Sequence, residues 1–473
     1  MRLASIRLRN FRLFSDVTCE LHPELTVLVA DNGRGKTSVL DAIRILFGTY
    51  LAVFPTGKGQ GITLSDVRTV ELDRELPSSS TVYPVELEAW GELTPDQPAV
   101  SWSRALNTAK GGTTIKDARA LTRYASLLRS NGQAQAQHGQ PEDWPLLAYY
   151  GTGRLWHQSK LTNGKLFTNG YDTRSAAYRD CMEPASGFKS FMEWYAYAYR
   201  AITQSKIRFM ESTPGATAQE VIAHQSAFSP LVDAVRTAVD AILRPTGWKG
   251  LWYSEVLADI TMTHDQLGTM AVSRLSDGIR NSLGMAADIA FRAVQLNPHL
   301  GADAAKKARG IVLIDELDMH LHPSWQQVIL TSLREAFPLI QFIVTTHSPQ
   351  VLTSIDHTSI RVIREGDPSS TQTAWIDTVP LQTRGVASSS VLAQIMGVDP
   401  VPDVPEARML EQYHALIQQN LHLQAAGLDL RARLDAHFGA HHPVMLECDR
   451  MLRLQKYQQK LQPSPRAPDH QPG

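Results

Sequence analysis

The chain has 473 residues, 43% of them hydrophobic and 20% charged, enough to bury the cores of two or three domains. Its 46 Lys and Arg against 47 Asp and Glu leave a net charge of −1, so no global positive field draws it to nucleic acid or membrane. Three widely separated cysteines (Cys19, Cys181 and Cys448) and no C-x-x-C argue against a disulfide framework or zinc ribbon and fit a reducing cytoplasm.

The opening "MRLASIRLRNFRLF" alternates apolar and basic residues as a strand does, which is not the pattern of a signal peptide. No segment approaches the roughly 18 consecutive apolar residues of a membrane span. Over residues 1–50 the pattern is strand, turn, strand, buried strand "LTVLVA", loop "DNGRGKT" and amphipathic helix "SVLDAIRILFG". From 51 to about 150 the reading is mostly β, in "TVYPVELEAWGEL", "AVSWSRAL" and "WPLLAYYG", punctuated by Pro, Gly and Asn. Residues 151–250 carry apolar and aromatic residues at helical spacing and predict a helical insert, whose Tyr/Trp stripe reads as packing. No heptad repeat is sustained, which excludes a long coiled-coil arm. Strand patterns return in "LWYSEVLADITMTHDQLGTMAVSRL", and "GIVLIDELD" and "QFIVTTHSP" are buried strands separated by one helix. Beyond 385 the chain turns helical, and 463–473, "PSPRAPDHQPG", is a disordered-tail composition.

Chemistry concentrates in four short strings. "ADNGRGKTS" (30–38) joins a strand to a helix, the context a phosphate loop requires. Gly33 and Gly35 let backbone N–H groups turn inward; Asn32, Arg34 and Ser38 complete the loop. Lys36 reaches β- and γ-phosphates, and the Thr37 hydroxyl suits Mg²⁺. Ala30 stands where that motif usually has its first glycine. "GIVLIDELD" ends on Asp315, placed to support the metal, and Glu316, placed to polarise water. "FIVTTHSP" ends a second buried strand on His347, which a parallel neighbour would set beside the γ-phosphate. "RLSDGIRN" puts Ser276, Asp277 and Gly278 in a bare turn before an Ala-rich helix, about 240 residues after the phosphate loop.

In this order the four strings resemble the ABC-type ATPases of the SMC, Rad50 and RecF kind, over roughly residues 1–150 and 250–365. The resemblance implies an α/β fold: a P-loop ATPase head of mixed β-sheets with flanking helices, a helical insert and a helical C-terminal extension. The expected boundaries are head lobe I at 1–150, insert at 151–250, head lobe II at 251–384 and C-terminal docking helices at 385–462. It also implies ATP and Mg²⁺, with Arg12 near the nucleotide. Ser276, Asp277 and Gly278 would act as a signature motif on the ATP of a second subunit, so that a homodimer or higher oligomer closes through ATP. The family normally offers Mg²⁺ a glutamine at a strand end; here "LLAYYGTGRLW" has Gly151, Thr152 and Arg154 and no glutamine.

The wording "DELDMHLHP" and "TTHSP" is closest to OLD-type ATPases, and "LLAYYGTGRLW" with the helical ending looks most like the PtuA ATPases of Septu anti-phage systems. That likeness implies a partner nuclease of the HNH, PtuB-like kind, and possible company of a retron reverse transcriptase and its nucleic-acid product. No nuclease centre is visible after residue 365, and His437, His441, His442 and Cys448 match no standard zinc spacing. The alternative is a RecF-like clamp that binds DNA itself, against which the near-neutral charge weighs. A third reading is a nucleotide-held scaffold with little turnover.

Overall fold

A computed structural model describes residues 1–71, 79–95, 97–138, 141–154, 174–184, 188–366 and 373–461. It divides into two compact units, Met1–Met396 and Gly397–Gly473. The first is built on a six-stranded sheet in the order Ala374–Thr378, Ile360–Glu365, Leu25–Val29, Ile340–Thr345, Gly310–Ile314, Leu146–Tyr150. All neighbours are parallel except the edge strand Ala374–Thr378. The four apolar runs Leu25–Val29, Ile340–Thr345, Gly310–Ile314 and Leu146–Tyr150 are buried along their whole length, as parallel strands covered on both faces are.

Parallel pairing has a functional consequence: it gathers the C-terminal ends of these strands at one edge. Ile314 pairs with both Val344 and Tyr150, and Thr345 pairs with Leu28. The residues that follow, Ala30–Lys36, Asp315–Glu316, Thr346–His347 and Gly151–Arg154, therefore emerge side by side. Open α/β sheets bind ligands at this edge for the same reason.

A four-stranded antiparallel sheet, Phe14–Glu20, Arg2–Phe11, Val85–Glu92, Val100–Leu106, packs beside the first. The two sheets are joined by Gln341, fully buried, whose amide donates to the carbonyls of Leu3 and His22 and accepts from the Leu3 N–H, at 2.8–3.0 Å. A Gln341→Ala variant leaves these backbone groups unpaired, so we expect a loss of about 2 kcal/mol in denaturant unfolding. An unchanged midpoint would mean the joint is dispensable.

Between residues 51 and 150 the structure differs from the mostly-β expectation, because Arg119–His138 is a 20-residue helix. Its sequence is polar and glutamine-rich, but Leu121, Ala125 and Leu128 recur at helical spacing on a buried face. Helices Lys189–Ser212 and Ser229–Leu243 follow the expected insert, and Phe191, Trp194 and Tyr195 of the aromatic stripe lie in the core. The strands Ile360–Glu365 and Ala374–Thr378 had no counterpart in the sequence reading. Val391 and Ile395 are buried in the first unit's core, so that unit continues to Met396, beyond the expected boundary at 384.

Among its described residues the second unit has the helices Pro405–Gln418, Ala425–Phe438 and Pro443–Leu461. They close on Tyr413, Ile417, Leu434, Met445 and Cys448, and Arg431 ties Asp435 to Asp449. The expected tail, 463–473, lies outside the described residues. Among the described residues no helix is long and apolar enough to cross a membrane.

Candidate functional site

The loop after Leu25–Val29 is shaped by two left-handed glycines, Gly33 at φ 75° and Gly35 at φ 91°. Gly35 caps the helix Lys36–Leu46, and a Cβ there would meet Leu13 and the Phe14 ring at 2.7 Å, so both backbone and packing require glycine. The helix N-terminus and the loop amides together present the kind of N–H array that suits an anion. Lys36 is buried and its Nζ donates to the carbonyls of Ala30 (2.8 Å) and Asp31 (2.9 Å). Burial lowers its pKa, while the nearby carboxylates of Asp315, Glu316, Asp31 and Asp318 act in the opposite direction. Asn32 and Gly33 are exposed on the loop, and Arg34 pairs with Glu365 at 2.5 Å.

The exposed Thr37 hydroxyl donates to Asp315 Oδ2 at 2.8 Å. Asp315 Oδ1 accepts from Thr345 at 2.6 Å, and the same Thr345 hydroxyl accepts the Glu316 N–H at 2.7 Å. One hydroxyl thus aligns both acids with the phosphate-loop threonine. Two hard oxygens 2.8 Å apart match neighbouring ligands of an octahedron with bonds of about 2.1 Å, so Thr37 and Asp315 fit Mg²⁺.

Glu316 sits at φ 49°, a left-handed conformation that costs a non-glycine residue about 1–2 kcal/mol. The turn that follows is held by Leu317 N–H to Thr345 O (2.9 Å) and Met319 N–H to Glu316 O (3.0 Å). Asp318 accepts from the Thr346 hydroxyl at 2.6 Å and from the His347 N–H at 3.3 Å. His347 therefore leaves its strand between the phosphate loop and the acid pair. Sequence reading missed Thr345 and Asp318; the doubled threonine of "TTHSP" was the available signal.

Arg12, at φ 51°, lies beside the phosphate-loop helix and pairs with Asp41 (2.8 Å) and Asp66 (2.9 Å), its Nη1 3.4 Å from Ser38 Oγ. Burial alone would lower its pKa; the two carboxylates outweigh it and raise the value. Where the expected glutamine is missing, Arg154 is buried and bonds the carbonyls of Asp315 and Glu316.

Ser276 caps the helix Asp277–Leu296, and Ser276 and Asp277 are exposed. Gly278 is buried: a Cβ there would stand 2.3 Å from the His320 carbonyl oxygen. The turn's hydroxyl and first helical residue face outward, while its glycine packs on the segment after Glu316. Deeper in that helix, Asp288 accepts from Tyr150 Oη (2.8 Å) and Arg292 (2.7 Å) in a buried cluster.

Residues 5–207 match the family described as "AAA domain", and residues 224–353 match "AAA domain, putative AbiEii toxin, Type IV TA system". The chain is 26% identical to the retron Ec83 probable ATPase of Escherichia coli, over 94% of this chain and 86% of that one. It is 31% identical to the Septu protein PtuA of Bacillus mycoides over 36% of this chain, spanning 23% of that protein. Among solved structures, the SMC head domain from Thermotoga maritima aligns over 80% of this chain and 100% of that one, at 15% identity and a TM-score of 0.42.

Proposed function

We propose a working cycle from the premise that this chain is an ABC-type ATPase of the SMC/Rad50-like kind, related to retron ATPases. In this reading the glycine loop, Lys36 and the helix N-terminus with Ser38 bind the triphosphate, with Arg12 beside them. Thr37 and Asp315 would hold Mg²⁺, which when bound neutralises charge on the β- and γ-phosphate oxygens. Glu316 polarises the attacking water, and His347 contacts the γ-phosphate. Ser276 and Asp277 of a second copy meet the same phosphate across a head-to-head dimer. The observation that supports the hydrolytic part is the hydrogen-bond chain Thr37–Asp315–Thr345–Glu316, which would hold a metal ligand and a general base in one frame.

We place this ATPase in an anti-phage defence system of the retron or Septu type, where head closure licenses a separate HNH nuclease. The retron reverse transcriptase and its nucleic-acid product are further candidate partners. The full-length likeness to a retron ATPase supports this, as does a charge balance that equips the chain poorly for direct DNA binding. The test pairs two measurements on the full chain. Mass by light scattering should double on adding ATP and Mg²⁺, and Lys36→Ala should abolish that change. DNA binding followed across a salt series should be weak; tight, steeply salt-dependent binding would favour the RecF-like clamp instead.

A further inference from the structure

Arg154 is 3% exposed, an unusual place for a guanidinium. Among the described residues no carboxylate lies within ion-pair distance of it. Both η nitrogens go to backbone carbonyls instead: Nη1 to Gly151 (2.9 Å) and Asp315, Nη2 to Glu316 (2.7 Å). The Asp315 N–H in turn donates to Tyr150 O at 2.8 Å, so the strand end before Arg154 and the acid pair are laced together in both directions.

Burying a charge without a contacting counter-charge is costly, and an apolar residue would fill the space more cheaply. What an apolar residue cannot do is hold two successive carbonyls in one fixed fork. The second of them belongs to Glu316, which needs external restraint to stay at φ 49°.

We propose that Arg154 is a positioning residue for ATP hydrolysis: by bonding the Asp315 and Glu316 carbonyls it fixes the left-handed turn from which the Glu316 carboxyl reaches water. The proposal rests on the reading that Glu316 activates that water. It assigns a role to the strand end where the family's glutamine is missing. Arg154 acts through the backbone of the acid pair and leaves Lys36 and Thr37, the nucleotide anchors, untouched.

The experiment measures steady-state kcat and KM for ATP, and the melting temperature, for Arg154→Met, Arg154→Lys, Glu316→Gln and the Arg154→Met/Glu316→Gln double variant. Arg154→Met should lose about thirtyfold or more in kcat with KM within about threefold of parental. Arg154→Lys, which can bond a carbonyl but has no fork, should recover part of that loss. The double variant should turn over no more slowly than Glu316→Gln alone, because the two changes remove one function. Parental kcat in folded Arg154→Met beside an impaired Glu316→Gln would overturn the positioning role. So would a double variant that adds the full Arg154→Met loss to that of Glu316→Gln. If Arg154→Met does not fold, Arg154→Lys decides, with a reduced kcat at unchanged melting temperature supporting the role and a parental kcat overturning it. Parental turnover by Glu316→Gln is a separate result and overturns the assignment of Glu316 itself.

Discussion

Glu316→Gln should bind ATP with near-parental affinity and hydrolyse it at least about a hundredfold more slowly, the usual range for losing a general base. A hundredfold corresponds to about 2.7 kcal/mol of transition-state stabilisation. The change keeps the side-chain shape and the backbone bonds to Thr345 and Arg154, so folding should be unaffected. The variant should accumulate as the ATP-held dimer, which cannot reopen without turnover. Radiolabelled ATP retention together with light scattering checks both halves. Parental turnover would remove Glu316 from the chemistry and make His347 the next candidate to be examined.

Ser276→Arg should lose at least about tenfold in ATPase rate while its own phosphate loop still binds nucleotide. Ser276 is exposed and makes no side-chain capping bond, so a larger residue is accommodated in the isolated subunit. In a closed pair it would stand where the turn must approach a phosphate. Gly278 is the poorer probe, because its Cβ would collide with the His320 carbonyl of the same subunit and disturb the loop after Glu316. The Ser276 variant therefore separates an effect on the partner's nucleotide from an effect on the protein's own acid pair. A parental rate for Ser276→Arg would mean that the exposed turn meets no phosphate during turnover.

Much of this site could be read from the chain because its chemistry is local. The phosphate loop needs glycine at two left-handed positions and lysine and threonine directly after them, so residues 33–37 announce themselves. The runs before Asp315 and His347 are apolar without alternation, which identified buried parallel strands and hence their shared edge. What stayed hidden depends on contacts between distant residues. Arg154 looks like any arginine after a strand until the fold sets it under carbonyls 161 and 162 positions away. Gln341 sits in a buried strand, a position that composition alone would call unfavourable, and its partners lie at the other end of the chain. The Arg119–His138 helix was obscured by its polar sequence, and the edge strand 374–378 and its neighbour 360–365 by their mixed pattern. In each case tertiary packing outweighed local preference.

The proposed site shared by two subunits is tested most directly by mixing two impaired variants. Lys36→Ala disables its own loop but keeps a sound signature turn, and Ser276→Arg does the reverse. Each mixed dimer joins the sound loop of Ser276→Arg to the sound turn of Lys36→Ala and so holds one intact composite site that ATP can close, so activity should return to about half the parental rate per mixed dimer. Neither variant alone should exceed about a tenth of the parental rate. If the mixture stays as inactive as its components while mixed dimers form, each subunit works on its own nucleotide and the account of a site built by two subunits is wrong.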